Sequence, residues 1–345
     1  MSDNTAPTSV DTQAVLLLTA PLLVGRRAEG MKPLDARSYQ RIADHLRESE
    51  RRPGDLLDAD SADVRAACGA LVGVELLDGL LRRGMLLSQA LDRWATRGIW
   101  VVSRADAAYP RRLLASLGTA APPVLYGAGD PSLLEMRALG VVGSRKAPDV
   151  ALEAAAAAGM TAARTGSLLV SGNAPGIDRT AMMAAADAGG VVVAVLADGL
   201  EKQVLIPENR EALHDGRLVV VSPYDPGVGR SIGLLMGRNK VIYGLSDAVL
   251  VADTKHREGG TWAGASEHLK RGHRGTVHVR VDDPASAGQQ ALLNLGAVAW
   301  PRDLDEDRLR VLLEGREDHS PTASTPPLQS VASEQLRMFP TEGNT

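Results

Sequence analysis

The chain has 345 residues, of which 44% are hydrophobic and 3% aromatic, and its formal net charge at pH 7 is −4. This length accommodates two domains, and the hydrophobic fraction is sufficient for a sizeable core built from Ala, Val and Leu. Proteins that coat nucleic acid non-specifically are usually basic overall, so the composition restricts any nucleic-acid site to a local basic pocket.

The N-terminal segment, residues 1–12, is polar and lacks the basic start of a signal peptide, and we expect it to be disordered. The longest apolar run, about residues 14–25, is interrupted by Pro21 and is too short for a transmembrane helix. Cys68 is the only cysteine, which excludes an intrachain disulfide and a cysteine-based zinc site. We therefore expect a cytoplasmic protein with no membrane segment and no metal site.

Residues 13–97 carry apolar side chains at the spacing of three and four that is typical of helices. Asp60 and Ser61 have the composition of a helix start, and Gly84 that of a helix end. This segment predicts a small all-helical domain, similar to SAM or helix-hairpin-helix domains.

From residue 98 onward, short Val-rich runs alternate with helical segments, as in parallel sheets whose strands are buried on both faces. We predict an α/β fold over residues 98–314, a Rossmann-like doubly wound parallel sheet preceded by the small all-helical domain. Residues 315–345 are polar and rich in Pro, Ser and Thr, which predicts a flexible tail. The predicted strands are two extended segments ending at Ser103 and Gly127, then Leu139–Gly143, Leu168–Ser171, Val191–Leu196, Leu218–Val221, Ala248–Val251 and Thr276–Val279.

The first loop with unusual content follows the predicted strand at 139–143. Ligands bind outside the carboxyl ends of the strands in open parallel sheets. Gly143 permits close approach, Ser144 offers a hydroxyl, and Arg145 and Lys146 are cationic just before a helix whose amino end favours an anion. We interpret the loop as a phosphate site, with an ordinary turn bearing surface cations as the alternative.

A second loop, after the strand ending at Ser171, also leads into a helix. Gly172, Asn173 and Gly176 are candidates, together with Ser171, for contacts with an anion or a base. Asp178 has the position of a helix cap, and we interpret it as mainly structural.

Three further segments complete the candidate site. A long loop leads to Asn209 and Arg210, for which the alternative is an ordinary helix surface. The other candidates are Arg238, Asn239 and Lys240 before an apolar helical stretch, and Gly259, Gly260 and Thr261 at another helix start. The sequence contains no HExxH, no GxxxxGK[ST] and no convincing Ser/His/Asp set, so we assign no catalytic residue, metal or cofactor.

The order and spacing of these loops resemble the DprA/Smf family (DNA-processing protein A). The motifs are Gly143-Ser-Arg-Lys146, Ser171-Gly-x-Ala-x-Gly-Ile-Asp178, Pro207-Glu-Asn-Arg210, Arg238-Asn-Lys-x-Ile-x-Gly-Leu-Ser-Asp247 and the upstream Pro122-Pro-Val-Leu-Tyr126. The resemblance implies a non-catalytic cytosolic protein that binds single-stranded DNA, commonly as a homodimer, and helps load a RecA-type recombinase. Natural transformation, recombination repair and defence against phage all remain open as pathways.

The sequence departs from the family pattern at two loops. Asn173 and Pro175 stand where the family usually has Leu and Arg, and Gly259-Gly-Thr-Trp262 replaces a Ser-Gly-Ser-Leu stretch. With the second change, this loop resembles that of the LOG proteins. The resemblance implies, as the alternative, a nucleotide-derived ligand sensor or a phosphoribohydrolase-like enzyme, with Glu258 or Glu267 as the acid–base group. For base stacking the candidates are Tyr243, whose expected role is core packing, and Trp262.

The tail contains a pentapeptide, Gln335-Leu-Arg-Met-Phe339, that resembles the Gln-Leu-x-Leu-Phe peptide by which bacterial proteins bind the DNA sliding clamp. Gln335, Leu336, Met338 and Phe339 would make the contacts, since an apolar pair on a polar tail suits docking into a groove. A chance match and a short helix packing on the domain are the alternatives.

Overall fold

The computed structural model describes residues 8–23, 31–229, 231–272 and 275–315. The clamp-like pentapeptide and residues 1–7 lie outside these ranges. No helix among the described residues is long and apolar enough to cross a membrane.

The first helix, α1 (Val10–Thr19), begins within the segment expected to be disordered, which corrects that expectation for residues 10–12. Ser9 caps it, because its hydroxyl accepts a hydrogen bond of 3.1 Å from the backbone N–H of Thr12. The Thr12 hydroxyl in turn donates to Ser103 at 2.7 Å and is fully buried. These polar groups gain order from tertiary hydrogen bonds, which a polar composition does not predict.

The helical region packs directly on the sheet, because its core and the core under one sheet face form one apolar cluster. Trp94 contacts Tyr126 edge to face, with ring centroids 5.2 Å apart, and both rings are buried. Arg93 also connects the helical region to the sheet domain through a bidentate ion pair with Glu201. The remaining helices of this region are α2 (Ala36–Glu48), α3 (Ala62–Val72), α4 (Val74–Leu81) and α5 (Gly84–Ala95).

The described residues form one sheet of nine strands, in the order β1-β2-β6-β5-β4-β3-β7-β8-β9. Only β2 runs against its neighbours, so β1 has the same direction as the parallel strands β3 to β9. The strands are β1 (Trp100–Ser103), β2 (Val124–Ala128), β3 (Ala138–Val142), β4 (Leu168–Ser171), β5 (Val192–Val195), β6 (Leu218–Ser222), β7 (Ala248–Val251), β8 (Thr276–Val279) and β9 (Val298–Ala299).

Helices cover both faces of this sheet. Side chains alternate between the faces along each strand, and both sets are apolar and buried. In β3, Leu139 and Val141 join one apolar cluster, while Ala138 and Val142 join the other. The predicted doubly wound α/β fold is therefore confirmed. The helices of this part are α6 (Arg111–Leu117), α7 (Asp149–Arg164), α8 (Ile177–Asp187), α9 (Leu200–Gln203), α10 (Pro207–His214), α11 (Ile232–Leu245), α12 (Gly259–Arg271), α13 (Ala287–Asn294) and α14 (Glu306–Glu314).

The strand order reverses between β3 and β7, which are direct neighbours although about a hundred residues separate them. Each successive strand from β3 to β6 is added on one side, and β7 to β9 are added on the other. Such a reversal opens a crevice at the carboxyl ends of the two strands, which is where doubly wound sheets bind ligands.

Candidate phosphate-binding site

A cavity of about 420 Å³ opens at this reversal, between the ends of β3 and β7, the starts of α8 and α12, and the middle of α11. It is defined here as the switch-point cavity. Eight of the residues selected from the sequence line it: Gly143, Ser144, Arg145, Arg238, Asn239, Gly259, Gly260 and Thr261. The tertiary structure thus brings together parts of three loops that are far apart along the chain.

The first and second loops pack closely against each other, and glycines permit this. Gly176 has a φ of +86°, and a Cβ there would lie 2.6 Å from the carbonyl oxygens of Ser144 and Arg145. A Cβ on Gly143 would lie 2.4 Å from the side chain of Ile177. Gly176 therefore supports the shape of the first loop, and it does not line the cavity.

Side-chain hydrogen bonds join the start of α12 to the loop after β3 and to α11. The hydroxyl of Thr261 donates to the carbonyl oxygen of Gly143 at 3.0 Å, and the amide of Asn239 donates to that of Gly260 at 3.1 Å. The amino end of α12 is thereby held beside the loop after β3. Among the described residues, no side-chain hydrogen bond caps α12, so its first N–H groups remain available to an anion.

Arg238 lies at the cavity with only 6% of its surface exposed. Its Nη1 donates to the carbonyl oxygen of Val195 at 3.2 Å, while its buried Nε has no hydrogen-bond partner among the described residues. Burial lowers the pKa of this guanidinium, and the nearby Asp178 carboxylate opposes that effect. A guanidinium that lines a cavity is suited to an anionic ligand.

Asp178 also lines the cavity, although it is buried. Gly176 and not Asp178 occupies the N-cap position of α8, which corrects the interpretation of Asp178 as a cap. Burial raises the pKa of the Asp178 carboxyl to about 6, against the opposing effects of Arg238 and of the backbone N–H groups of Ala174, Gly143 and Gly172. Asp178 is therefore a titratable group beside the cavity whose charge changes near neutral pH.

Two exposed cations lie at the rim of the cavity, Arg145 and Lys255. The ammonium group of Lys255 is 3.9 Å from the carboxylate of Glu258, and both side chains are more than two-thirds exposed, so this ion pair is weak. Lys255 and Thr254 follow the predicted strand at 248–251 and were missed from the sequence. These two residues could have been selected because they follow the strand that lies next to β3. The sequence does not show that the two strands are neighbours, since strand order depends on long-range contacts.

Several selected residues contact other parts of the protein. The hydroxyl of Ser171 is buried and donates to the carbonyl oxygen of Val141 at 2.6 Å. Lys240 forms an ion pair of 3.1 Å with Glu267, and Asn209 donates to Gln203. The selected residues that do not line the cavity are Lys146, Ser171, Gly172, Asn173, Gly176, Asn209, Arg210 and Lys240.

Of the two aromatic candidates, Tyr243 is buried and stacks on His268, with ring centroids 4.9 Å apart, as expected for core packing. Trp262 is half-buried and contacts His256 edge to face at 5.0 Å. In the described ranges, no group of three or more His, Cys, Asp or Glu side chains is placed to hold a metal ion.

Comparison with known proteins gives a consistent set of relatives. Residues 100–306 match the family model of DNA recombination-mediator protein A. The chain is 34% identical over 142 residues to the DNA processing protein DprA of Streptococcus pneumoniae, covering 40% of this chain and 49% of that protein. It is 32% identical over 233 residues to the putative DNA processing protein DprA of Mycobacterium tuberculosis, covering 64% and 56%. The chain thus spans about half the length of these relatives.

Solved structures share the fold. The X-ray structure of DprA from Streptococcus pneumoniae matches with a TM-score of 0.63 at 22% identity, over 81% of this chain and 93% of that one. A DprA structure from Helicobacter pylori, whose description concerns its single-stranded DNA binding mode, matches with a TM-score of 0.50 at 20% identity, over 62% and 96%. Because the family model covers more than half of the sequence, this chain is a member of the DNA recombination-mediator protein A (DprA) family.

Proposed function

We propose that this chain binds single-stranded DNA in the switch-point cavity, as a DNA-processing protein of the DprA type. The observation that carries the proposal is the convergence of Arg145, Lys255, Arg238 and the uncapped amino end of α12 on one cavity. These groups are all donors or cations, as the phosphates of a nucleic acid require. The Helicobacter pylori relative, described as binding single-stranded DNA, supports the same ligand class.

Phosphate contacts dominate this mode of binding, because few aromatic side chains are available for stacking. Tyr243 is buried in the core, and Trp262 is half-buried against His256. When binding neutralises phosphates, the logarithm of the binding constant falls linearly with the logarithm of the salt concentration. For a single strand the slope is about −0.7 per phosphate contact. A steep salt dependence is therefore the expected signature of this site.

The first experiment is fluorescence anisotropy of labelled oligo-dT at several salt concentrations. Arg145→Ala/Lys255→Ala should weaken binding and make the salt slope shallower by about 1.4, because two phosphate contacts are lost. The matched control is Arg164→Ala/Lys270→Ala, which removes two exposed cations from the carboxyl ends of α7 and α12, at the opposite edge of the sheet. Absence of oligo-dT binding by the unmodified protein at low salt would refute the proposal.

A nucleotide-derived small ligand is the second candidate, and one observation favours it. Glu258 lines the cavity beside Gly259 and Gly260, where a carboxylate could serve as an acid–base group. A mononucleotide makes few phosphate contacts, so its affinity should change little with salt. Binding of nucleotides with a shallow slope, without binding of oligo-dT, would favour this candidate over DNA.

The partners that the family resemblance implies extend the proposal to a homodimer and to loading of a RecA-type recombinase on the bound strand. Sedimentation of the protein alone, and recombinase filament assembly on coated single-stranded DNA, test these two parts separately. The clamp peptide at 335–339 remains a prediction from the sequence alone. Deleting residues 334–345 should abolish pull-down of the sliding clamp, and unchanged pull-down would rule the peptide out.

A further inference from the structure

A second basic surface lies where the helical region meets the start of the sheet. It is a groove of about 750 Å³ between the end of α2, the segment after β1, and α6. The arginine groove, as we define it, takes its charge from four lining residues, Arg47, Arg51, Arg52 and Arg104, and no aspartate or glutamate lines it. None of these four residues belongs to the switch-point cavity.

Two of the four arginines have no carboxylate partner in the part of the chain that the structure describes. The guanidinium of Arg104 donates to the side-chain oxygen of Gln40 at 3.0 Å and lies 5.5 Å from the ring centroid of Tyr39. This arrangement holds the cation in place without neutralising it. The side chain of Arg51 is exposed and forms no ion pair within the described ranges. These two cations can therefore accept an anionic ligand without giving up an existing charge partner.

The other two arginines are paired with carboxylates that differ in exposure. Arg47 pairs with Asp44 at 2.7 Å, and Arg52 pairs with Asp11. The Asp44 side chain is 38% exposed, and an exposed pair of this kind contributes little to stability, whereas the Asp11 side chain is only 11% exposed. The guanidinium of Arg47 can therefore turn towards a phosphate at small cost, whereas Arg52 stays beside Asp11, because turning away would leave a buried carboxylate unpaired.

Sheet topology relates this groove to the switch-point cavity. Since β1 and β6 are both antiparallel to β2, β1 ends at the same edge of the sheet as β3. Arg104 follows β1 directly, just as Gly143 follows β3. The ends of β1 and β3 are five strand positions apart in the sheet. At ~4.8 Å between neighbouring strands, this distance is roughly 24 Å along the edge. A strand stacked as in duplex DNA, with ~3.4 Å per nucleotide, needs about seven nucleotides to cover that distance, and an unstacked single strand, which is more extended, needs fewer.

We propose that the arginine groove is a second phosphate-binding site for the same DNA strand, occupied only when the strand is long enough to extend from the switch-point cavity. This inference rests on the proposed function. An acidic protein segment would also suit four arginines, but the position of the groove on the ligand-binding edge of the sheet favours the strand. The proposal therefore predicts a length-dependent contribution to affinity.

The test measures anisotropy of oligo-dT of about three and about twenty nucleotides, of which only the longer can connect the two sites. Arg51→Ala/Arg104→Ala should bind the short oligonucleotide as the unmodified protein does, and bind the long one about tenfold more weakly. For the long oligonucleotide, the salt slope of this double variant should be shallower than that of the unmodified protein by about 1.4, because two phosphate contacts are lost. The surface variant Arg51→Glu, which removes no internal contact, should reproduce the length-dependent loss, and Arg164→Ala/Lys270→Ala serves as the charge control.

The outcomes separate this inference from the proposed function. Equal binding of the long oligonucleotide by the groove variants and the unmodified protein would overturn the second site. If the groove variants lost binding of a polyglutamate peptide but kept binding of DNA, the second DNA site would be overturned in favour of an acidic protein partner. If Arg145→Ala/Lys255→Ala retained binding of both lengths while the groove variants lost it, the switch-point proposal would fail and the groove would remain.

Discussion

The guanidinium of Arg238 occupies the space that a side chain at position 172 would need. A Cβ built on Gly172 would lie 1.3 Å from Nη1 of Arg238. The glycine after β4 and the arginine of α11 are therefore matched to each other, and Gly172 acts on the cavity through Arg238 without lining it. This relationship gives the glycine of the second loop a role different from the ligand contact expected from the sequence.

Gly172→Ala should displace Arg238 from its buried position. Overpacking of this kind costs about 1–3 kcal/mol of stability, and oligo-dT affinity should fall about tenfold, equivalent to ~1.4 kcal/mol. Denaturant unfolding and anisotropy measure the two effects. Gly84→Ala is the matched control, because a Cβ there meets no atom within 4 Å. Unchanged affinity in Gly172→Ala would show that Arg238 does not contribute to binding.

DNA affinity should increase as the pH falls through about 6. The carboxylate of Asp178 is charged above its folded pKa of about 6 and repels phosphates at the cavity, and protonation removes that repulsion. Asp178→Asn should bind severalfold more tightly near neutral pH and show a smaller change with pH. Histidine protonation contributes equally to both proteins, so the difference between their anisotropy profiles isolates Asp178. Parallel profiles would contradict this role.

The same group affects stability with a defined sign. Its folded pKa of about 6 lies above the ordinary value of 3.8, so the folded state binds the proton more readily than the unfolded state. The contribution of Asp178 to the free energy of unfolding is complete below 3.8 and is lost as the pH rises through about 6. Urea unfolding across this range should show a steeper loss of stability with pH for the unmodified protein than for Asp178→Asn.

Lys240→Ala should have a smaller effect on DNA binding than Arg145→Ala. Lys240 is paired with Glu267 at 3.1 Å and does not line the cavity, whereas Arg145 is an exposed lining residue. We expect a change of less than about twofold in affinity for Lys240→Ala, and a salt slope shallower by about 0.7 for Arg145→Ala only. Anisotropy at several salt concentrations decides the matter, and a larger loss for Lys240→Ala would reverse this ranking.

Arg93→Ala should destabilise the attachment of the helical region to the sheet. It leaves the carboxylate of Glu201, whose side chain is 10% exposed, without its partner. Since Arg93 is 31% exposed, the loss should be below the roughly 3–5 kcal/mol of a fully buried pair. Arg310→Ala, which breaks exposed pairs within α14, is the control and should cost less than about 1 kcal/mol. Equal unfolding midpoints in urea would contradict the prediction.

Local sequence signals were sufficient for most elements of the sheet. The Val-rich run predicted at Ala248–Val251 matches β7, because this pattern depends only on residues within the strand. The short helices α6, α9 and α13 were not predicted, since their few turns give a weak periodic signal. The start of α1 was missed because Thr12 and Ser9 are held by partners about ninety residues away.

Local residue patterns are enough to identify the α/β class, the loops that carry cations and glycines, and the family to which their order belongs. Which of those residues meet at one cavity depends on the three-dimensional fold, because strand order places β3 beside β7 and removes Asn209 and Arg210 from the cavity lining. The fold also decides that Ser171 and Lys240 are engaged by internal partners and that Asp178 is a buried titratable group. Burial and charge pairing depend on neighbours distant in sequence, which a linear motif does not specify.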